Sequence, residues 1–298
     1  MGSQKDLTFI VSGGRTGTQF FGDLLSDVID DCYSVHEPDV YAGLNSKSFQ
    51  RIKAFGIWHI LVGRALALTG SRVIGQRFIY GRISPERVQA YIGASRNRYY
   101  QRIPESLVVE SNNQWWALID QISVVWPHAK VITIIRDPRD WVRSWIHKKG
   151  RYDKHDWVSC IPPGRLTPEK VGDTKWAKRW SEFDTFGRLT WEWRFLYGKI
   201  NASVERVPQA QMFRFEDIFK TDGDALRELV LFAATHGDRI YSIKDLDSMT
   251  QTKLNSSDGQ VPHWRLWTPA QARLMDEICG SLMQRFGYGL EPEWQALI

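Results

Sequence analysis

LTFIVSGGRTGTQFFGDLLSDVIDDCYSVHE, residues 7–37, reads as a strand, a glycine-bearing turn, a helix and a second strand. Thr8 to Val11 form the β-branched and aromatic run of a buried parallel strand, and Ser12 to Thr18 make the turn. Such a turn suits an anion. Its glycines let the backbone approach a ligand, the first N–H groups of the following helix have no partner within the helix, and the helix dipole favours negative charge there. Phe20, Phe21, Leu24, Leu25, Val28 and Ile29 predict one apolar face on a helix over 17–29. Glu37 then ends the second strand near the same edge.

Outward from this unit the pattern repeats. Residues 45–105 read as a helical insertion, with Ser84 and Pro85 opening a helix as cap and first helical residue. Leu107 to Glu110 is a short buried strand, Asn112 or Asn113 can cap, and Trp115, Trp116, Ile119, Ile122 and Trp126 follow helical spacing up to Pro127. Lys130 to Arg136, KVITIIR, is the strongest strand, a continuous apolar run of the kind buried on both faces of a parallel sheet. Asp137 and Pro138 start a helix at once, which leaves Arg136 at the strand's carboxyl end and puts Ser144, with Arg139 or Arg143, within reach of an anion there. Residues 151–172 read as a loop and 176–207 as one long helix whose aromatic stripe belongs to the core. Gln211 to Phe215 gives a further strand, Asp224 to Thr235 a helix, 250–267 a polar loop, and Thr268 with Gln271 a capping box for a last helix stopping at Gly287. Alternating strands and helices predict one three-layer α/β/α domain over 1–298, with a mostly parallel sheet and helical insertions. Ligands of such sheets bind outside the carboxyl ends of the strands, where the turn, Glu37, Ser111 and Arg136 converge.

Composition narrows the class. With 298 residues, 43% apolar and 13% aromatic, the chain can bury a core, which excludes disorder. No run of roughly eighteen apolar residues occurs, the start MGSQKD lacks a signal-peptide core, and Asp6 breaks the myristoylation pattern, so the expected location is the cytoplasm. Three well-separated cysteines, Cys32, Cys160 and Cys279, show neither metal spacing nor a disulfide framework, which fits a reducing compartment. The net charge of +5 is uneven: Arg51 to Glu105 holds ten Lys/Arg against two Glu, a local +8. That segment is a solvated basic face, or it meets an acidic substrate or, peripherally, an anionic membrane; nucleic acid is not an expected partner.

A phosphate-binding turn first suggests a kinase or NTPase. The Walker pattern needs Gly-Lys-Ser/Thr after four intervening residues, whereas Arg15 stands inside a shorter GGRTGT turn that cradles one terminal group. No Asp/His cluster demands a metal, so charge compensation falls to arginine and backbone N–H groups.

Taken together, GGRTGT at 13–18 and IIRDPRDWVRS at 134–144 resemble the sulfotransferases that use 3′-phosphoadenosine 5′-phosphosulfate, in particular the bacterial and the tyrosylprotein or carbohydrate branches. The resemblance implies a P-loop NTPase-like fold. It implies that Gly14, Arg15, Thr16, Gly17, Thr18 and Gln19 bind the 5′-phosphosulfate and that Arg136 and Ser144, eight residues apart, take the 3′-phosphate. FRFEDI at 213–218 and TKLNSSDG at 252–259 also look like the family, whose Lys-x-Asn loop, here Lys253 and Asn255, closes over the nucleotide. The expected reaction is in-line sulfuryl transfer to a hydroxyl acceptor, leaving adenosine 3′,5′-bisphosphate, with no metal. Arg15 stabilises the transferred group. Glu37 is the expected base, where the tyrosylprotein branch places its glutamate, and His36 is the second choice. Many members carry Glu-Lys-Thr-Pro after the third strand, but this chain has Glu110, Ser111, Asn112 and Asn113. Either Arg15 acts alone, or a basic side chain from the insertion replaces that lysine, or activity is reduced. A glycan or glycolipid is the first-choice acceptor and a peptide tyrosine the next; a phosphotransferase and a non-catalytic nucleotide- or membrane-binding protein are the competing classes.

Overall fold

The structure is a computed structural model that describes residues 5–40, 46–63, 66, 68–220, 223–244 and 263–298. In chain order it contains β1 (Asp6–Ser12), α1 (Thr18–Val28), β2 (Cys32–His36), α2 (Ser46–Phe55), α3 (Ser71–Ile79), α4 (Pro85–Tyr100), β3 (Leu107–Ser111), α5 (Ile119–Val125), β4 (Lys130–Ile135), α6 (Pro138–Lys148), α7 (Thr174–Ala177), α8 (Thr185–Val204), β5 (Ala210–Arg214), α9 (Phe215–Ile218), α10 (Asp224–Ala234), α11 (Pro269–Arg285) and α12 (Pro292–Leu297). A π-helical turn spans Trp58–Val62. The chain divides into two compact units, Met1–Ile135 with Ile200–Thr252, and Arg136–Lys199 with Lys253–Ile298.

The first unit holds a five-stranded sheet in the order β2-β3-β1-β4-β5, every neighbouring pair parallel. Alternate side chains of β1 serve two layers, as a strand's period of two requires. Ile10 joins Phe21, Leu25 and Val28 of α1 and Leu229 and Val230 of α10 in one core cluster. Phe9, on the opposite face, meets Trp115 edge-on at 5.6 Å and stacks on Trp126 at 5.4 Å. Helices therefore cover both faces, and the expected three-layer α/β architecture with its parallel sheet is present in this unit.

Two predicted helices are broken. Asn112 accepts the Gln114 N–H at 2.9 Å and opens a short 3₁₀ turn, Asn113–Ala117, before α5 begins. In the second unit, the stretch from Trp176 is interrupted by a 3₁₀ turn at Trp180–Glu182, and Asp184 accepts the Gly187 N–H at 2.9 Å to start α8 afresh. The aromatic stripe is nonetheless core: Trp176, Phe183, Leu189 and Trp193 are buried. The capping box at Thr268 and Gln271 forms as predicted.

Candidate functional site

The register aligns the carboxyl ends of β1, β2 and β3: Ile10 and His36 both pair with Ser111. The segments that leave these strands therefore meet at one edge of the first unit. After β1 comes the turn, where Gly14, Arg15 and Gly17 all take left-handed φ values of 81°, 60° and 70°. Ser12 braces it from below, its Oγ accepting the Gly14 N–H at 3.0 Å and the Thr16 hydroxyl at 2.7 Å. The Thr16 side chain is thus turned into the protein, which leaves its N–H as the group a ligand could use. Helix α1 starts at Gly17 with no side-chain cap and no acidic residue in its first turn. An eleven-residue helix with an uncapped, carboxylate-free start fits an anionic ligand. Arg15 is half-buried and Gln19 exposed at that start.

Ser111, the residue standing where a lysine was expected, is fully buried. Its hydroxyl donates to the Thr18 carbonyl at 2.6 Å, tying β3 to the first turn of α1. Its own carbonyl accepts the Glu37 N–H at 3.0 Å and lies 3.1 Å from His36 Nδ1. A carbonyl only accepts, so Nδ1 carries a proton and a neutral His36 presents a bare Nε2. Burial pushes the His36 pKa below its usual value and so favours the neutral ring, while the hydrogen bond to the Ser111 carbonyl offsets part of that shift. Nε2 stands 3.8 Å from Glu37 Oε2. Glu37 has a left-handed φ of 44°, a backbone state uncommon outside glycine that redirects the chain at the end of β2.

Both side chains line a cavity of about 440 Å³ that also takes in Gln19, Asp23, Tyr33, Arg51, Phe55 and Tyr99. Gly22 also lines it: a Cβ there would come within 2.8 Å of His36 Cβ, so only glycine lets α1 lie against β2. Tyr99 stacks obliquely on Phe55 at 4.8 Å, and its hydroxyl is 3.2 Å from that of Tyr33. Arg51, from the insertion, donates to the Val40 carbonyl at 2.5 Å and the His36 carbonyl at 3.4 Å, holding the segment that carries Glu37. Behind this wall Arg96 is buried between Asp39 and Glu110, at 3.2 and 2.8 Å. Arg96 is therefore not part of the basic face; its charge fixes α4 to β3 and to the chain after Glu37. None of Arg51, Tyr33, Phe55, Tyr99 and Gly22 stood out as site residues in the sequence. The signal available in the sequence was the basic insertion, which carries Arg51.

In the second unit, Asp137 accepts the Arg139 N–H at 2.8 Å and caps α6, as its place before Pro138 predicts. Arg136 is half-buried, its carbonyl accepting the Trp193 indole N–H at 2.9 Å, and Ser144 is buried on α6. Arg139 is not available to an anion. Its buried guanidinium is bound by Asp137 and Glu291 and lies 4.4 Å over the Trp264 ring. Lys253 and Asn255 lie outside the described residues.

Among the described residues no group of three or more His, Cys, Asp and Glu is placed to hold a metal, and no helix is long and apolar enough to cross a membrane.

The chain aligns with solved structures, and one of them shares its fold. A sulfotransferase of Mycobacterium avium does so at a TM-score of 0.50 and 12% identity, over 98% of this chain and 79% of that one. One from Alicyclobacillus acidocaldarius aligns at 0.48 and 12%, over 98% and 99%, and a mouse sulfotransferase complexed with PAP at 0.45 and 12%, over 99% and 89%. No curated protein matches the sequence. The family profile described as the sulfotransferase domain matches residues 5–236. With an uncapped glycine turn after its first strand and that match over most of its length, the chain belongs to the sulfotransferase family.

Proposed function

We propose that this sulfotransferase moves the sulfuryl group of 3′-phosphoadenosine 5′-phosphosulfate onto a hydroxyl of a glycan or glycolipid, with Glu37 taking the hydroxyl proton. The observation that carries this reading is the bonding around Ser111, which joins the start of α1, through the Thr18 carbonyl, to His36 and Glu37, through its own carbonyl. Anion donors and proton acceptors thereby share one edge. The nucleotide, when bound, supplies an activated sulfuryl group on its 5′-phosphate. Residues 14–19 are assigned to that end, and Arg136 and Ser144, with Lys253 and Asn255, to the 3′-phosphate and the closing loop by motif.

Sulfuryl transfer, like phosphoryl transfer, spreads charge over equatorial oxygens and needs an in-line nucleophile, so positioning and preset donors do most of the work. Arg15 and the N–H groups of Thr16, Gly17, Thr18 and Gln19 supply donors. Arg51 supplies the charge that Ser111 lacks. It is the one Lys or Arg among the described residues lining the cavity, and its two backbone bonds use only part of its donor set. The rings of Tyr33, Phe55 and Tyr99 suit a sugar or phenol face.

One observation favours a second reading of the base. The bare Nε2 of His36 can also take the proton, because Nδ1 is committed to the Ser111 carbonyl. The test is sulfuryl transfer from the labelled donor to a panel of sugars, glycolipids and tyrosine peptides. Glu37→Gln should lower turnover at least ~10²-fold with nucleotide affinity near wild type, a usual size for a lost general base. A loss confined to His36→Gln would transfer the role to the imidazole, and weakened nucleotide binding in Glu37→Gln would make Glu37 structural.

A further inference from the structure

We propose that the described residues between 49 and 68 form a docking surface for an anionic lipid bilayer, set beside the cavity so that a headgroup hydroxyl can enter it. Seven of the fourteen large apolar side chains exposed among the described residues fall in this stretch, including Ile57, Trp58, Leu61 and Val62. These four recur on one side of the helical turn at 57–63, while His59 and Ile60 on its other side are buried. The turn is held in place by the Thr69 hydroxyl, which donates to the His59 carbonyl at 2.8 Å. A fixed turn that shows tryptophan and aliphatic side chains to solvent is an exposed patch in need of a partner.

Charge identifies that partner. From Val40 to Pro85 the sequence contains seven Lys/Arg and no Asp or Glu. Lys53 is exposed on α2, and Arg102, exposed at the end of α4, donates to the Lys53 and Ala54 carbonyls at 3.0 and 3.1 Å. Cations therefore border the apolar turn. A second copy of the same face would oppose like charges, whereas a bilayer of acidic headgroups accepts both the side chains and the charges. Tryptophan at such a boundary places its ring at headgroup level.

The surface adjoins the cavity through α2, which supplies Arg51, Ala54 and Phe55 to the lining and runs directly into the exposed turn. A lipid-borne hydroxyl as acceptor rests on the proposed sulfuryl-transfer reading; the docking itself does not.

The experiment is co-sedimentation of the full chain, without nucleotide, with phosphatidylcholine vesicles lacking or containing phosphatidylserine. Wild type should bind the phosphatidylserine vesicles, less so in high salt, and Trp58→Ser/Leu61→Ser should partition at least ~10-fold less, the effect of removing two interfacial apolar side chains. Its response to adenosine 3′,5′-bisphosphate in thermal unfolding should match wild type, which excludes misfolding. Glu37→Gln should bind vesicles like wild type, so failed catalysis and failed docking are separable. Equal partitioning of the double variant and wild type, no preference for phosphatidylserine, or a dimer that the double variant dissociates without any change in vesicle binding would each overturn the proposal.

Discussion

His36, Glu37 and Arg51 sit around one cavity, and their backbone bonds decide what each can do. His36 is held by Nδ1 and presents Nε2, and Glu37 hangs from the same Ser111 carbonyl by its N–H. Arg51 fixes the carbonyls on either side of Glu37, at His36 and Val40, and retains further N–H donors. If the charge of Arg51 supports the transferred group, Arg51→Gln should lower turnover by ~10²-fold, the size found when one preset donor is lost. Arg51→Lys should recover part of it. Steady-state rates check this, and equal losses in the two variants would leave Arg51 only its hold on the loop. Glu37 and the glycine turn could be picked out of the sequence because residue type and strand position define them. Arg51 could not, since its role depends on α2 folding back over β2, which no local pattern encodes.

At the scale of the element, the start of α1 is organised by two serines. Ser12 closes the turn from inside, and Ser111 ties the first helical turn to β3. Ser111 is therefore a structural replacement for the expected lysine rather than a weaker version of it. Ser111→Lys should not raise turnover. It should destabilise the fold by about 2–4 kcal/mol, because a longer, charged side chain would replace a fully buried hydroxyl and would break the bond to Thr18. Denaturant unfolding measures this, and a variant as stable as wild type with faster transfer would show that the site has room for the family's lysine. The strands were legible as elements because their apolar runs are continuous, and α6 because Asp137-Pro138 both caps and starts it. The helices drawn through Trp115–Trp126 and from Trp176 onward were not, since Asn112 and Asp184 divert backbone N–H groups into caps that periodicity does not register.

For the molecule as a whole, stability should depend on pH through two imidazoles, the half-buried His36 and the buried His236. Burial lowers the pKa of both His36 and His236 from the ordinary value of 6.5. The unfolded chain thus binds more protons than the folded one between the lowered values and 6.5, so stability is full above about pH 6.5 and falls as the pH drops through that window. His236 lies 3.0 Å by Nε2 from the buried Thr8 hydroxyl on β1, far from the reacting edge, so His236→Gln should flatten part of the pH dependence without changing turnover. Unfolding midpoints between pH 5 and 8 check this; a midpoint that rises as the pH falls would contradict it. The parallel α/β class could be derived from alternating patterns alone, while the cavity, assembled from β2, α1, α2 and α4, required the packed structure. The proposed reaction stands or falls on a nucleotide that carries a 3′-phosphate. Calorimetric titration of wild type and Arg136→Ala with adenosine 3′,5′-bisphosphate and adenosine 5′-monophosphate is the deciding measurement. Wild type should favour the bisphosphate, and Arg136→Ala should lose roughly 1.5–3 kcal/mol with it and little with the monophosphate. Equal affinity of wild type for the two nucleotides would contradict a 3′-phosphorylated donor.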